Sequence, residues 1–325
     1  MRLRGPCRFL FMSRICISRI LGIAALSFIP RLAFAQEGAS LAPEYTWTWD
    51  PVIVFLLLAS AWLYIAGVVR ARCTSHNPRI FAGWQLIAFV LGWLTLIVAL
   101  ISPVHELGES LFSAHMLQHE LLMVVAAPLL IVGRPDLVFI WALPLSWRKD
   151  LARFQHISIV HRSWRLLASP LSAWLLHAMA LWTWHIPSLF DATIAHNWVH
   201  ALQHSSFLGT ALLFWSSLLY GHMGRRAYGE GIIYVFTTAV HTSILGALLT
   251  FAASPWYLIY EFRTAIWGLS PLEDQQLGGL IMWVPAGLVY TIMGLWLLGA
   301  WIRDSDRRTS FLWWSDCQAV SKRTT

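Results

Sequence analysis

Beyond residue 50 the chain alternates between long apolar runs and short polar connectors. Seven runs can be drawn: 51–69, 80–101, 111–133, 170–187, 198–220, 231–253 and 279–302. A helix rises 1.5 Å per residue, so about 20 apolar residues are needed to cross a bilayer core. Each run approaches that length. The pattern predicts an all-α fold, a polytopic bundle of seven transmembrane helices over residues 51–302. Composition agrees: 58% of residues are hydrophobic and only 12% charged, against about 25% charged in soluble domains. The 20 Trp residues also fit, because indole rings concentrate at membrane interfaces.

The start of the chain reads differently. Arg2, Arg4, Arg8, Arg14 and Arg19 precede a short apolar core, Ile20 to Ile29, and then Ala33-Phe34-Ala35. A basic region, a short apolar core and an Ala-Xaa-Ala site form a secretory signal peptide, residues 1–35, with an uncleaved signal anchor as the alternative. Either leaves residues 36–50 as an extracytoplasmic segment.

Charge then orients the seven runs. With the amino terminus outside, the cytoplasmic segments hold sixteen basic residues, from Arg70, Arg72 and Arg79 through Arg134, Arg148 and Lys149 to Arg303 and Lys322. The outer segments hold Arg263 alone. Short cytoplasmic loops are enriched in Lys and Arg, so the drawing implies a plasma-membrane protein with a cytoplasmic tail, 303–325. The pI near 9.6 is explained by this bias and by contact with anionic lipid, and requires no nucleic acid. The inner connector 134–169 is basic and rich in Trp and Leu, as an amphipathic interfacial helix would be. No phosphate-cradling glycine loop is present. Cys7 and Cys16 fall in the signal-like segment, and Cys73 and Cys317 in cytoplasmic segments. No disulfide is therefore expected, and no Cys-Xaa-Xaa-Cys-His haem-attachment motif occurs.

The candidate chemistry lies in a repeated pentapeptide, His-Xaa-Leu-Gln-His, at His115–His119 and again at His200–His204. Residues four apart share a helix face, so each copy aims two imidazoles in one direction. The third and fifth runs cross in the same sense, which sets both pairs at one depth near the outer face. His185 ends the fourth run at the same level, with His105 and His196 in adjoining outer loops. His177 and His241 lie nearer mid-membrane. Ionisable side chains inside a membrane are costly and tend to mark function, although histidines and glutamines also tie helices together by hydrogen bonds. Neutral imidazoles suit copper, zinc, iron or nickel. The candidate metal ligands are His115, His119, His185, His200, His204 and His241. Gln118 and Gln203 are placed to orient imidazoles from outside the ligand set. Met116 and Met123 flank the first pair, as thioether ligands or as core filling. Glu120 follows His119 about 100° around the helix. Glu273 and Asp274 either cap the seventh run or approach the site.

These residues resemble the polytopic CtaG family of cytochrome c oxidase assembly factors. The resemblance rests on His115-Met116-Leu117-Gln118-His119 leading to Ala127-Pro128-Leu129-Leu130 and Gly133-Arg134-Pro135. It continues through Trp184-His185-Ile186-Pro187, the pair His200 and His204, and His241, and ends in the segment Pro271-Leu272-Glu273-Asp274-Gln275-Gln276 to Pro285. Glu120 stands where an apolar residue is expected in the family. The resemblance implies a seven-span, non-enzymatic protein of the bacterial plasma membrane that helps to build a haem-copper oxidase. Its implied partners are oxidase subunits and a periplasmic copper carrier, and its implied cargo is copper. A haem-binding redox protein using the same His pairs, and a metal-free scaffold for oxidase subunits, are the alternatives.

Overall fold

Every element of the chain is helical among the residues that the computed structural model describes, 46–74, 81–221 and 225–321. Side chains are described for these except 225–227 and 307–321. The signal-like segment 1–35 and most of 36–50 lie outside the described residues.

Thirteen α-helices follow in chain order: α1 (Pro51–Thr74), α2 (Gly83–Leu100), α3 (Pro103–Ser110), α4 (Phe112–Glu120), α5 (Ala127–Val132), α6 (Pro135–Ala142), α7 (Leu145–Gln155), α8 (Ser158–Leu167), α9 (Pro170–Trp184), α10 (Pro187–Ala195), α11 (Asn197–Tyr220), α12 (Arg225–Thr250) and α13 (Pro271–Ser321). Each of the seven apolar runs coincides with a helix or a helix series. Among the described residues, five stretches are long and apolar enough to cross a membrane: Pro51–Thr74, Gly83–Leu100, Phe112–Val132, Tyr228–Thr250 and Pro271–Asp306. The chain is therefore a multi-pass helical membrane protein. α8 and α9 supply a sixth crossing only if joined, and they meet at a 62° bend. α9 is short, at 15 residues. α11 is long enough, at 24 residues, but its apolar average is diluted by Asn197, His200, Gln203, His204 and a series of Ser and Thr. Large apolar side chains such as Phe55, Trp62, Ile87, Met179, Phe236 and Leu288 face outward, as lipid contact requires.

The connector 134–169 folds as three short helices, α6 to α8, instead of one. α8 carries Ile159, Trp164, Leu166 and Leu167 exposed beside Arg162 and Arg165, as expected of a segment lying in an interface. Two further short helices, α3 and α10, occupy connectors at the end of the bundle that holds the repeated histidines.

The third run is not a uniform helix. A π-helical turn, Leu121–Ala126, separates α4 from α5. Pro128 explains it, since a proline has no N–H and its ring collides with the preceding turn of an α-helix. The wider turn makes room. In i→i−5 pairing, Pro128 would have served the Met123 carbonyl, which is left without its donor. Trp215 of α11 supplies one, its Nε1 donating to Met123 O at 2.9 Å. A sequence defect in one helix thus becomes a specific bond to the helix carrying the second His pair.

α13 fixes the other side of α4. Gly278 sits against the Phe112 ring so closely that a Cβ there would lie 2.4 Å from Cδ1. Asp274, fully buried, accepts from Phe112 N at 2.6 Å through Oδ2, and from Ser113 N at 3.1 Å and Ser113 Oγ at 2.5 Å through Oδ1. The residue before α4 is Leu111, with no side-chain acceptor, so the helix borrows its cap from α13. Glu273 instead caps its own helix, accepting from Ser270 N at 2.8 Å.

Candidate metal centre

Four elements bring the histidines together. α4 carries His115 and His119, α11 carries His200 and His204, His185 ends α9, and His105 lies on α3. The first five of these side chains are buried. The two pentapeptides face one another: ring centroids are 4.4 Å apart for His115 and His119, 4.2 Å for His200 and His204, 5.1 Å for His115 and His200, and 5.4 Å for His119 and His204. His115, His200 and His204 each offer a ring nitrogen within 4.8 Å of the others. That spacing is close to what three imidazoles need around one ion, with metal–nitrogen bonds of about 2.0–2.1 Å.

The hydrogen bonds prepare individual rings. His185 Nδ1 lies 2.7 Å from the Leu181 carbonyl. A carbonyl only accepts, so Nδ1 carries the proton and Nε2 keeps its lone pair. His115 Nε2 lies 3.1 Å from Gln203 Oε1, which leaves Nδ1 as its lone-pair nitrogen. Metal-binding histidines commonly donate their second N–H in this way. His115 Nδ1, His185 Nε2 and both nitrogens of His119 are buried without a hydrogen-bond partner. Buried polar atoms are rarely left so, and a cation can take the one lone pair that each neutral imidazole offers. His200 and His204 approach each other through Nε2 at 3.0 Å.

The two glutamines work across helices. Gln203, in the second motif, holds His115 of the first. Gln118 donates to Ala99 O at 2.6 Å and approaches His105 Nδ1 at 3.0 Å. Phe190 and Phe207 pack edge-on against His115 and His119 at 4.9 and 4.6 Å. Tyr257 closes the end by donating to His185 O at 3.0 Å.

Of the six sequence candidates, three meet at ligand distance. His119 adjoins them and stands 6.4 Å from His185. His241 lies apart, its ring edge-on to Trp174 at 5.5 Å, beside His177, whose Nδ1 bonds Thr210 Oγ1 at 3.1 Å. Met116 and Met123 are buried in the apolar core. Glu120 is buried with Oε2 unpartnered and belongs to neither ligand-distance group. His105 and Glu109 lie outside the ligand set that the sequence predicts. Together with His200 they form a second group within 4.8 Å, and His105 stacks on His200 at 5.2 Å and 8°. The available signal was Ser102-Pro103, a helix start, which puts His105 and Glu109 four apart on one helix face. Burial holds the His105 imidazole below its ordinary pKa, while Glu109, Glu106 and Asp50 oppose the shift.

Comparison with known proteins connects this geometry to a family. An uncharacterized protein of Mycobacterium leprae is 25% identical over 271 residues, covering 80% of this chain and 40% of that protein. One from Mycobacterium bovis is 27% identical over 270 residues, covering 81% and 40%. The chain thus spans about 40% of the length of the curated relatives it matches. No solved structure matches it. The family model for the cytochrome c oxidase caa3 assembly factor, Caa3_CtaG, matches residues 62–304, from α1 through both His motifs into α13, and the chain belongs to that family.

Proposed function

We propose that the protein is a membrane assembly factor for a haem-copper cytochrome c oxidase, and that it holds copper as cargo for an oxidase subunit. The observation that carries this reading is the convergence of His115, His200 and His204 within 4.8 Å, beside buried ring nitrogens that lack partners. Imidazole suits copper among several metals, and the family supplies the oxidase context. His119 and His185 stand next to the three as exchange ligands. His241, apart from them, serves packing or an inner relay.

In this reading all seven apolar runs cross the plasma membrane, with the amino terminus outside and the tail in the cytoplasm. The His-bearing end then faces the outside, where a periplasmic carrier brings copper. The role is non-enzymatic in this reading, as an assembly-factor family suggests. A haem alternative is disfavoured by the packing, since rings 4.2–5.9 Å apart leave no slot for a macrocycle between them.

The test is metal analysis and absorption spectroscopy of the purified protein, paired with oxidase copper content in cells. Wild type should carry copper with no Soret band. His115→Ala with His204→Ala should hold it more weakly and lower oxidase copper. Oxidase copper unchanged in that variant would sink the proposal.

A further inference from the structure

We propose that His105 and Glu109, with His200, form a second metal position, a loading site for a divalent first-row ion such as Cu2+. From there the ion passes inward to His115, His200 and His204. This rests on the copper reading above and adds an entry point to it.

The geometry has three parts. First, the ligand atoms of His105, Glu109 and His200 lie within 4.8 Å of one another, and His105 stacks flat on His200. Second, exposure is graded: His105 and Glu109 are only half-buried, whereas His115, His200 and His204 are buried. The graded pair is thus the more accessible face of the cluster. Third, α3 is held rigidly. Its start is capped by Ser102, whose side chain accepts from Val104 N at 3.2 Å. Tyr260 donates to Gly108 O at 2.8 Å, Arg263 to Glu109 O at 2.7 Å, and Gln118 approaches His105 at 3.0 Å. Glu106, on the same helix, is engaged by Thr48 at 2.8 Å and is not part of the site.

The chemistry differs between the two positions. Two imidazoles and a carboxylate neutralise part of a divalent charge where water still reaches, as first capture of an ion requires. The inner position has neutral ligands in a drier setting. His200 belongs to both and acts as the pivot. Transfer breaks the bonds to His105 nitrogen and Glu109 oxygen as bonds to His115 and His204 nitrogens form. No electron moves, and the released carboxylate remains half-exposed. Because His200 is shared, the cluster holds one ion at a time.

The experiment titrates the purified full chain with Cu2+ alone and reads stoichiometry, affinity and the electron paramagnetic resonance spectrum. Wild type should bind one tight equivalent. His115→Ala should still bind, through a mixed nitrogen and oxygen set, and Glu109→Gln should still bind through nitrogens only. Their combination should weaken binding at least about 10-fold beyond either single change, the lower end of what even an outer-shell loss costs. Glu109→Gln preserves shape, and in the His115→Ala background it should remove the carboxylate-ligated component that the His115→Ala spectrum shows. An unchanged spectrum, two tight equivalents, or His115→Ala as weak as the double variant overturns the loading site while leaving the copper reading standing. Wild type that binds no Cu2+ overturns both.

Discussion

Asp274 is the residue whose removal should most clearly connect fold to site. It lies on α13, yet it caps α4, with three hydrogen bonds to Phe112 and Ser113. Asp274→Ala would leave two buried N–H groups and a hydroxyl without their acceptor. Each stranded buried group costs about 1–3 kcal/mol, and losing a negative charge at a helix start adds up to about 2 kcal/mol. The hydroxyl can turn to another acceptor and some water can enter, so a loss of about 3 kcal/mol is expected. At about 2–4 °C per kcal/mol for domains of 150–250 residues, the melting temperature should fall by about 6–12 °C. Asp274→Asn keeps one oxygen but turns an amide N–H toward a donor, so it should fall between the two.

The functional consequence is separable. His115 sits in the first turn of α4, its N–H bonded to Leu111 O at 3.1 Å, so fraying of that turn moves one of the three converging ligands. Metal affinity should fall at least about 10-fold in Asp274→Ala, as for other residues that orient ligands. Ser270→Ala is the control: it disturbs the capping pair with Glu273 at the same end of α13 but does not touch α4. It should cost about 1 kcal/mol and leave metal binding unchanged. Thermal melting in detergent and equilibrium metal competition read both effects. An Asp274→Ala protein that melts within 2 °C of wild type and keeps its metal would refute the reasoning.

Three other outcomes follow from the same geometry. Trp215→Phe should cost about 1–3 kcal/mol by stranding the Met123 carbonyl, and the cost should shrink in a Pro128→Ala background, where an N–H returns to the helix; equal costs in both backgrounds would break the link between π-turn and indole. His241→Ala should leave metal stoichiometry and affinity unchanged, whereas His204→Ala should weaken binding by removing an inner ligand; equilibrium metal competition separates them. Burial raises the Asp191 carboxyl pKa, opposed by a backbone hydrogen bond from Ile259, so the folded state holds this proton more tightly than the unfolded one. Stability is therefore lost as pH rises from the ordinary carboxylate range through the raised value. Asp191→Asn should melt above wild type at pH 8 and with it at pH 3, and a gap of the same size at both pH values would contradict the assignment.

Helix positions were legible because hydropathy acts locally. Rotation about each helix axis was not, because it is decided by contacts between residues far apart in the chain. Asp274 meets Ser113, and Trp215 meets Met123, across separations that no periodicity reveals. Those contacts are what turn His115 toward His200 rather than away from it. The two Gln residues show the same limit: one pentapeptide written twice gives two different bonds, Gln203 to His115 and Gln118 to His105 and Ala99. His105 and Glu109 differ in kind: they lie in a short connector between apolar runs, where Ser102-Pro103 is the one local mark of a helix start. Inward-facing side chains and a bend in the chain account for the shortfall between seven apolar runs and five sufficiently apolar helices among the described residues. α11 misses the apolarity test because its inner face carries His200, Gln203 and His204, and α9 misses on length because the chain bends before it and stops at His185. A helix that turns polar ligands inward gives up the apolar average by which a membrane span is recognised. In this bundle one of the two runs that fall short as spans is therefore the helix that brings half of the repeated histidines to the centre.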